Sequence, residues 1–572
     1  MLSNLNADPQ NVNQVLSGNL FLIPEYQRPY SWKVDKCDVL WNDLYDHFCA
    51  TPEEEYFLGS IVLCKDSKEK DKRLLVIDGQ QRLITLSILL RVFYNHDSRN
   101  KGLARCLYLY DQRDEEKILG NRIESSVLGE TESNSLARVL AKEDINSLPK
   151  KNNYAENYRY FEEKVESIRD DIREEKKLEE FIDHVLKNVY LLPIKCDNFD
   201  KALNIFETIN NRGLELSPAD IFKSMLYQQA IKDADVFAKR WDNLDSALAV
   251  LSETSKAKDL TITTLFRWYM SLLRAENNDA GKPVGVREFF TEGAFLNSSK
   301  KKDYRPEYRL RHRPWEETMN ALERLKITWE MLSSKEKEYQ QLKKWYATLS
   351  VSSSEAALAA MIFVYKRLEF CHDKDGNEVC RISNNHEIAC ENFLRNLARY
   401  VYAKGFDRTI EGKTVPDAML QAAIDAISGN KFSLEAKPGD IFLSRLDETL
   451  SPQYRRGFCM LLELINPRSS AEHLEGEIEH ILPNRWGNDW YDKWNEENAS
   501  EAMHTLGNLV LLKKSQNIKA SNRFFETKKK IYGDSEFSEA KDLCEVDNWD
   551  YNDYKNRHEA VKQRLYKFLR GE

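Results

Sequence analysis

Residues 74–94 have the sequence LLVIDGQQRLITLSILLRVFY, which predicts the central strand and helix of the first part of the chain. The apolar residues Leu74–Ile77 predict a buried β-strand. The apolar run from Gln80 to Tyr94 is too long for a strand and predicts a buried helix. Gly lets the backbone approach a ligand closely, and a helix N-terminus attracts anions. Asp78-Gly79 at this junction therefore predicts a phosphate-binding turn.

Further local signals flank this strand and helix. Tyr56–Cys64 and Val189–Ile194 are rich in Val, Ile and Leu and predict two more strands. Ser217 followed by Pro218 predicts a helix start, because Ser caps a helix and Pro suits its first position. In residues 152–187, charged and apolar residues alternate at helical spacing, which indicates solvated helix faces. Residues 1–230 are therefore expected to form one domain of strands and helices with a helical insertion.

The remaining chain divides into two regions. Residues 231–420 have apolar and aromatic residues at helical spacing, so a helical middle region is expected. Inside it, Lys300–Trp315 mixes basic and aromatic residues, which suits either phosphate contact with base stacking or a charged surface loop. Residues 421–572 return to mixed strands and helices. The fold class expected for the whole chain is α+β, multidomain and predominantly helical.

Composition argues against several classes of protein. Of the 572 residues, 42% are hydrophobic and 11% are aromatic, which argues against a disordered chain. The net charge of −9 argues against a small basic DNA-coating protein, although a local basic groove is still allowed. No apolar run has the length that crosses a membrane, and the N-terminus lacks a signal peptide's features. The ten cysteines contain no CxxC pair, so we expect reduced thiols. Together with the missing export signal, this predicts a cytoplasmic protein, and the missing apolar run predicts that it has no membrane partner.

A histidine beside a carboxylate ends a short apolar segment near the C-terminus. The segment is GEIEHILP, residues 476–483, and LGNLVLL follows at residues 506–512. Hydrolysis of a phosphodiester needs a base, a metal ion that neutralises developing charge, and a cationic surface. His480 suits the base, and Asn517 with a carboxylate offers the oxygen ligands that Mg²⁺ prefers. The basic run over residues 513–530 suits a polyanionic substrate.

These residues resemble the core of an HNH nuclease, the ββα-metal fold, and more closely the C-terminal domain of GmrSD-type enzymes (DUF1524). The resemblance implies that His480 is the general base, that Asn508 braces its loop, and that Asn517 binds Mg²⁺ or Mn²⁺. It leaves Glu479 or Glu477 as a further metal ligand. The basic side chains expected to contact DNA are Lys513, Lys514, Lys519, Arg523 and Lys528. Two nearby histidines fit no motif and are expected to be ordinary residues, His473 and His504.

Three segments of the first region carry a second resemblance. They are residues 23–32 (IPEYQRPYSW), 78–82 (DGQQR) and 206–214 (FETINNRGL). They resemble the DUF262 domain, which has a core similar to ParB and sulfiredoxin and is associated with nucleotide binding and hydrolysis. The resemblance implies an NTP site without a P-loop, formed by Arg28, Asp78, Gly79, Gln80, Gln81, Arg82, Asn211 and Arg212. The alternative is that these turns only stabilise the fold.

The two resemblances together imply a GmrSD-type, modification-dependent (type IV) restriction endonuclease with both domains in one chain. The expected activity is nucleotide-regulated, metal-dependent cleavage of double-stranded DNA, with modified phage DNA as substrate. One nuclease core per chain favours a homodimer, or two successive nicks, for a double-strand break. Two alternatives stay open. One is a sensor of nucleic-acid modification with NTPase and weak nicking activity, and the other is an RNA-cleaving toxin.

Overall fold

The computed structural model divides the chain into two compact units, Met1–Asn243 and Leu244–Glu572. The residues that the structure describes are 7–25, 27–65, 73–111, 113–114, 117–127, 130–141, 148, 152–169, 175–197, 201–202, 205, 217–254, 260–279, 284–297, 301–374, 376, 378–411, 413–428, 434–486, 491 and 493–572. Across these ranges, no helix combines the length and apolarity that crossing a bilayer requires. The cysteines form no disulfide.

The first unit contains a six-stranded mixed sheet. The strands of this unit are β1 Gln10–Asn11, β2 Phe21–Ile23, β3 Tyr56–Lys65, β4 Leu74–Asp78, β5 Tyr108–Tyr110, β6 Ile118–Asn121, β7 Ile123–Ser125 and β8 Val189–Cys196. The sheet has the order β1-β8-β3-β4-β2-β7, and β5 pairs with β6. β3 runs parallel to β8 and antiparallel to β4. The three strands predicted from the sequence, here β3, β4 and β8, are confirmed and are neighbours.

The first unit also contains the buried helix predicted after Gly79. The helices are α1 Val12–Gly18, α2 Val34–Ala50, α3 Gln80–His96, α4 Lys101–Leu107, α5 Glu130–Ala141, α6 Asn153–Arg169, α7 Glu175–Lys187, α8 Pro218–Gln229 and α9 Ala234–Thr254, within which the first unit ends. In α3, every side chain from Leu83 to Phe93 is buried. The predicted start of α8 is confirmed, because the Ser217 side chain accepts a hydrogen bond from the Asp220 amide.

The second unit is mostly helical. Its helices are α10 Ile262–Glu276, α11 Val286–Glu292, α12 Trp315–Ser333, α13 Gln340–Ser352, α14 Ser354–Tyr365, α15 Asn384–Phe406, α16 Val415–Ile427, α17 Asp440–Arg445, α18 Pro452–Leu464, α19 Glu496–Ala502, α20 Lys514–Ala520, α21 Phe525–Gly533, α22 Ser538–Lys541 and α23 Tyr551–Arg570. Its described strands form antiparallel pairs, β9 Ala294–Leu296 with β10 Lys302–Tyr304, β11 Leu368–His372 with β12 Glu378–Ile382, and β13 Glu477–His480 with β14 Leu509–Leu512. The α+β, predominantly helical class is confirmed.

Part of the basic and aromatic stretch that begins near residue 300 packs inside the second unit, whereas Lys301, Lys302, Tyr304 and Arg311 are exposed. Tyr308 is fully buried. The Nε of Arg309 donates a hydrogen bond to the backbone oxygen of Glu292 at 2.6 Å. The Nε of Arg313 donates to the hydroxyl of Tyr269 at 3.0 Å. These contacts indicate a packing role for Tyr308, Arg309 and Arg313.

Candidate functional site

His480 ends β13 and lies opposite Leu509 at the start of β14. All four residues of β14 are buried in the core of the second unit, and β13 pairs with it along its whole length. α20 follows β14 and places the Asn517 side-chain nitrogen 3.5 Å from the backbone oxygen of Ile478. The order strand, strand, helix therefore brings Asn517 against the strand that carries His480.

Asn508 holds the backbone that follows His480. Its side chain is fully buried. Its Oδ1 accepts a hydrogen bond from the Leu482 amide at 2.6 Å, and its Nδ2 donates to the Leu482 carbonyl at 3.0 Å. Its own carbonyl accepts from the Ile481 amide at 2.9 Å. These bonds are the kind that the expected bracing role requires.

α23 fixes the turn that carries Asn508. The guanidinium of Arg557 donates to the carbonyls of Leu506 and Gly507 at 3.0 and 2.7 Å. The Gly507 amide donates to Nδ1 of His558 at 3.1 Å. A Cβ on Gly507 would lie 2.6 Å from Cβ of His558, so a larger residue would push the turn away from α23. The glycine in LGNL is thus explained by close packing.

Glu479 and Lys528 form an ion pair in the core. Nζ of Lys528 lies 2.6 Å from Oε1 of Glu479 and donates to the His480 carbonyl at 2.7 Å. The Tyr532 hydroxyl donates to the same carboxylate oxygen at 3.1 Å. Burial raises the pKa of Glu479 and lowers that of Lys528, although each charge favours the other.

This placement argues against two roles expected from the sequence. Glu479 was expected to bind metal, but its side chain points to the core on the face of β13 opposite His480, because side chains alternate along a strand. Lys528 was expected to contact DNA, but its side chain has no exposed surface. We revise both to structural roles. Glu477, the alternative ligand, is exposed at the start of β13.

A second histidine lies against His480. Nε2 of His480 is 3.1 Å from Nδ1 of His504, and Nη1 of Arg455 is 3.0 Å from the same Nδ1 atom. Burial lowers the pKa of His480 to about 4, with smaller contributions from His504, Arg455 and Lys528. Burial also lowers the pKa of His504. His480 is therefore neutral at physiological pH, as a general base must be.

His504 and Arg455 are the site residues that the sequence did not reveal. His504 was expected to be an ordinary residue, and Arg455 lies on α18, remote in sequence from the histidines. The sequence offers one signal for His504, which lies only four residues before the motif residue Asn508. Nothing in the sequence points to Arg455.

The other basic residues expected to contact DNA are on the surface. Lys513, Lys514, Lys519 and Arg523 are exposed around α20 and the turn after it. Lys513 also pairs with Glu536 at 3.1 Å. The exposed cations therefore lie on the helix that carries Asn517 or directly beside it, where they can meet the same phosphate backbone.

The expected Mg²⁺ or Mn²⁺ site is only partly matched by the side chains. Asn517 lies against β13, but Glu479 is bound to Lys528. In the part of the chain that the structure describes, no three His, Cys, Asp or Glu side chains come together as a metal site.

The strand-to-helix turn of the first unit begins at Asp78. Gly79 has φ +88° in the left-handed region, and a Cβ there would lie 2.6 Å from Cγ2 of Ile61. Burial raises the pKa of Asp78, opposed by the Gly79 amide and by Arg82 and Arg28. Arg82 donates to the Ser60 carbonyl at 2.8 Å, whereas Arg28 is exposed. The turn thus gathers one carboxylate and two guanidinium groups at the N-terminus of α3.

The two glutamines of this turn hold the segment that follows Arg28. Nε2 of Gln80 donates to the Arg28 carbonyl at 2.7 Å. Oε1 of Gln81 accepts from the amides of Ser31 and Trp32 at 2.8 and 3.2 Å. The two side chains therefore hold the segment that follows Arg28 against the start of α3. Asn211 and Arg212, also expected at this site, lie outside the described residues.

Two family descriptions match the chain. "GmrSD restriction endonuclease, N-terminal domain" matches residues 11–227, which include the DGQQR turn. "GmrSD restriction endonucleases, C-terminal domain" matches residues 441–563, which include His480, Asn508 and Asn517. No curated protein matches the chain. The chain belongs to the GmrSD restriction endonucleases, a family of DNA endonucleases, and carries the N-terminal and C-terminal domains in one polypeptide.

Proposed function

We propose that this protein is a nucleotide-regulated, metal-dependent endonuclease of the HNH type that restricts modified phage DNA. The observation that carries the proposal is the setting of His480. It is a half-buried imidazole at the end of β13, and Asn508 holds the turn that follows through both the amide and the carbonyl of Leu482. Exposed lysines lie on the adjoining α20. A base on a fixed loop beside a cationic surface suits hydrolysis of a polyanion.

In the proposed reaction, neutral His480 takes a proton from water as the water oxygen attacks the scissile phosphorus. The bond from phosphorus to the leaving oxygen breaks, and that oxygen takes up a proton from solvent. Lys528 holds the His480 carbonyl and Asn508 holds the backbone of Leu482, so the segment that carries the imidazole is already ordered before substrate binds. Lys514, Lys519 and Arg523 hold the phosphate backbone.

Dependence on Mg²⁺ or Mn²⁺ stays a prediction of the family resemblance. When bound, such an ion would neutralise charge on the phosphate. Because Glu479 is paired with Lys528, the Asn517 amide, which lies against β13, is the member of the expected ligand set left to hold such an ion. No step above depends on its binding an ion.

The proposed regulatory site is the turn at Asp78. The first turn of α3 presents unpaired backbone N–H groups to an anion, and Arg28 adds an exposed guanidinium. Gln80 places its Oε1 in a buried position with no partner among the described residues. A nucleotide phosphate would supply the negative charge for these N–H groups and for Arg28. A sugar hydroxyl would supply the donor for Oε1 of Gln80.

The second candidate function is a sensor of modified nucleic acid with NTPase and weak nicking activity. The burial of Glu479 against Lys528 favours it, because the position at which an HNH nuclease has an acidic metal ligand is occupied by a structural ion pair. An RNA-cleaving toxin would differ only in substrate.

Matched variants test the two-site proposal. His480→Ala is expected to abolish DNA cleavage and to leave NTP hydrolysis within about twofold of wild type. Asp78→Ala is expected to lose NTP hydrolysis, whereas Asp97→Ala, which changes a carboxylate at the other end of α3, should not. Loss of both activities in His480→Ala would contradict separate sites. Normal NTP hydrolysis by Asp78→Ala would show that this turn is not the nucleotide site.

A further inference from the structure

The short segment between α19 and β14 contacts His480 twice. Asn508 binds the backbone after His480, and His504 meets the imidazole itself. The His504 segment is in turn fixed by its neighbours, since its carbonyl accepts from the Leu450 amide at 3.2 Å. Both the position of the loop and the orientation of the ring therefore depend on one stretch of chain.

The three hydrogen-bonding groups determine where the protons lie. A guanidinium has only donors, so the contact of Arg455 requires Nδ1 of His504 to be an acceptor. The hydrogen in the contact between the two histidines therefore belongs to Nε2 of His480. A neutral imidazole carries one N–H, which leaves Nδ1 of His480 with a free lone pair.

We propose that His504, held by Arg455, is a positioning residue that fixes the tautomer and ring orientation of His480, so that Nδ1 of His480 takes the proton from water. This role rests on the proposed function of His480 as the base. His504 touches neither water nor phosphate in this scheme. Without it, the Nε2 proton of His480 has no acceptor on that side, and the ring can rotate or exchange tautomers.

Two amide substitutions separate this role from simple packing. In His504→Asn the amide oxygen takes the place of Nδ1 and can accept from both Arg455 and Nε2 of His480. In His504→Gln the oxygen lies one bond further out, near the former Nε2 position. Gln is the closer match to His in size, so a packing role predicts that Gln is the better substitute. The proposed role predicts that Asn is.

The experiment measures single-turnover cleavage of glucosylated phage DNA by the full-length protein with Mn²⁺, together with DNA affinity from fluorescence anisotropy. His504→Ala and His504→Gln are expected to lower the cleavage rate by about 10²-fold, whereas His504→Asn stays within about fivefold of wild type. Arg455→Ala should fall between these limits. DNA affinity should be unchanged in all four variants. His473→Asn is the matched control, because no hydrogen bond joins His473 to His480 among the described residues.

The positioning role would be overturned if His504→Ala and His504→Gln cleaved at the wild-type rate. It would also be overturned if His504→Asn were as slow as those two variants while its melting temperature was unchanged. Parallel losses in cleavage and DNA affinity would assign His504 to DNA binding instead. Undiminished cleavage by His480→Ala, or no cleavage of any DNA by wild type, would refute the proposed function itself. Failure of the inference and failure of the function are thus distinguishable.

Discussion

Replacement of Lys528 by Met tests whether the basic run after β14 is uniformly a DNA surface. The substitution keeps the aliphatic stem and removes the charge. In the folded protein, Nζ of Lys528 has no exposed surface, pairs with Glu479 at 2.6 Å and donates to the carbonyls of His480 and Ile481 at 2.7 and 3.3 Å. Its loss leaves a buried carboxylate without its counter-charge, with Tyr532 as its remaining donor, and removes the Lys528 donor from two carbonyls.

The magnitude follows from this burial. Removing one partner of a buried ion pair costs about 3–5 kcal/mol. At roughly 2 °C per kcal/mol for a unit of this size, the melting temperature of the second unit should fall by roughly 6–10 °C. In Lys528→Met the Glu479 carboxyl would have to be protonated to stay buried in the folded protein. Protonation becomes more costly as pH rises, so the stability of this variant should fall further with increasing pH. Adding Glu479→Gln should recover much of the loss, because no charge is then buried.

The assay combines thermal unfolding with DNA affinity as a function of salt. Lys519→Met is the matched control, since Lys519 is exposed on α20. It should leave the melting temperature unchanged and reduce the slope of log affinity against log salt by about 0.9. Lys528→Met should leave that slope unchanged. A smaller slope in Lys528→Met without loss of stability would refute the structural role and restore Lys528 as a DNA contact.

Other substitutions and conditions give three further predictions. Gly79→Ala should destabilise the first unit by about 1–3 kcal/mol, because it forces a positive φ and a contact with Ile61, whereas Gly18→Ala, with open space around it, should have little effect in thermal unfolding. Asn508→Ala should lower cleavage by about 10²-fold at unchanged DNA affinity, since the loop after His480 loses both side-chain bonds. The pKa of His480, about 4, lies below its ordinary value, so the base is lost only as pH falls through about 4. Cleavage at pH 5.5 should stay within about twofold of that at pH 7, whereas an unperturbed histidine would lose roughly tenfold.

The elements that could be predicted from the sequence are those with local causes. β3, β4 and β8 follow from runs of Val, Ile and Leu, and α3 from a long apolar run after Gly79. The start of α8 follows from the Ser217 cap, which acts within one turn. Likewise, the motif residues His480, Asn508 and Asn517 come together because the two strands and the helix follow one another closely along the chain.

The residues that could not be predicted are those whose role depends on distant partners. Alternation along β13 shows that Glu477 and Glu479 share a face, but it does not tell which face is buried. The composition around Lys528 is typical of a solvated helix, and only its tertiary contact with Glu479 shows that it is buried. Arg455 reaches His504 from α18, across a large gap in sequence.

A cleavage assay on three DNAs, with His480→Ala beside wild type, would show whether the protein is a modification-dependent nuclease. Purified protein would be incubated separately with glucosylated phage DNA, phosphorothioate DNA and unmodified plasmid. Each reaction would contain Mg²⁺, Mn²⁺ or a chelator, with or without NTP. We expect metal-dependent, NTP-responsive cutting of one modified DNA that is lost in His480→Ala. Absence of cutting on every DNA while NTP hydrolysis persists would contradict the account and favour the sensor.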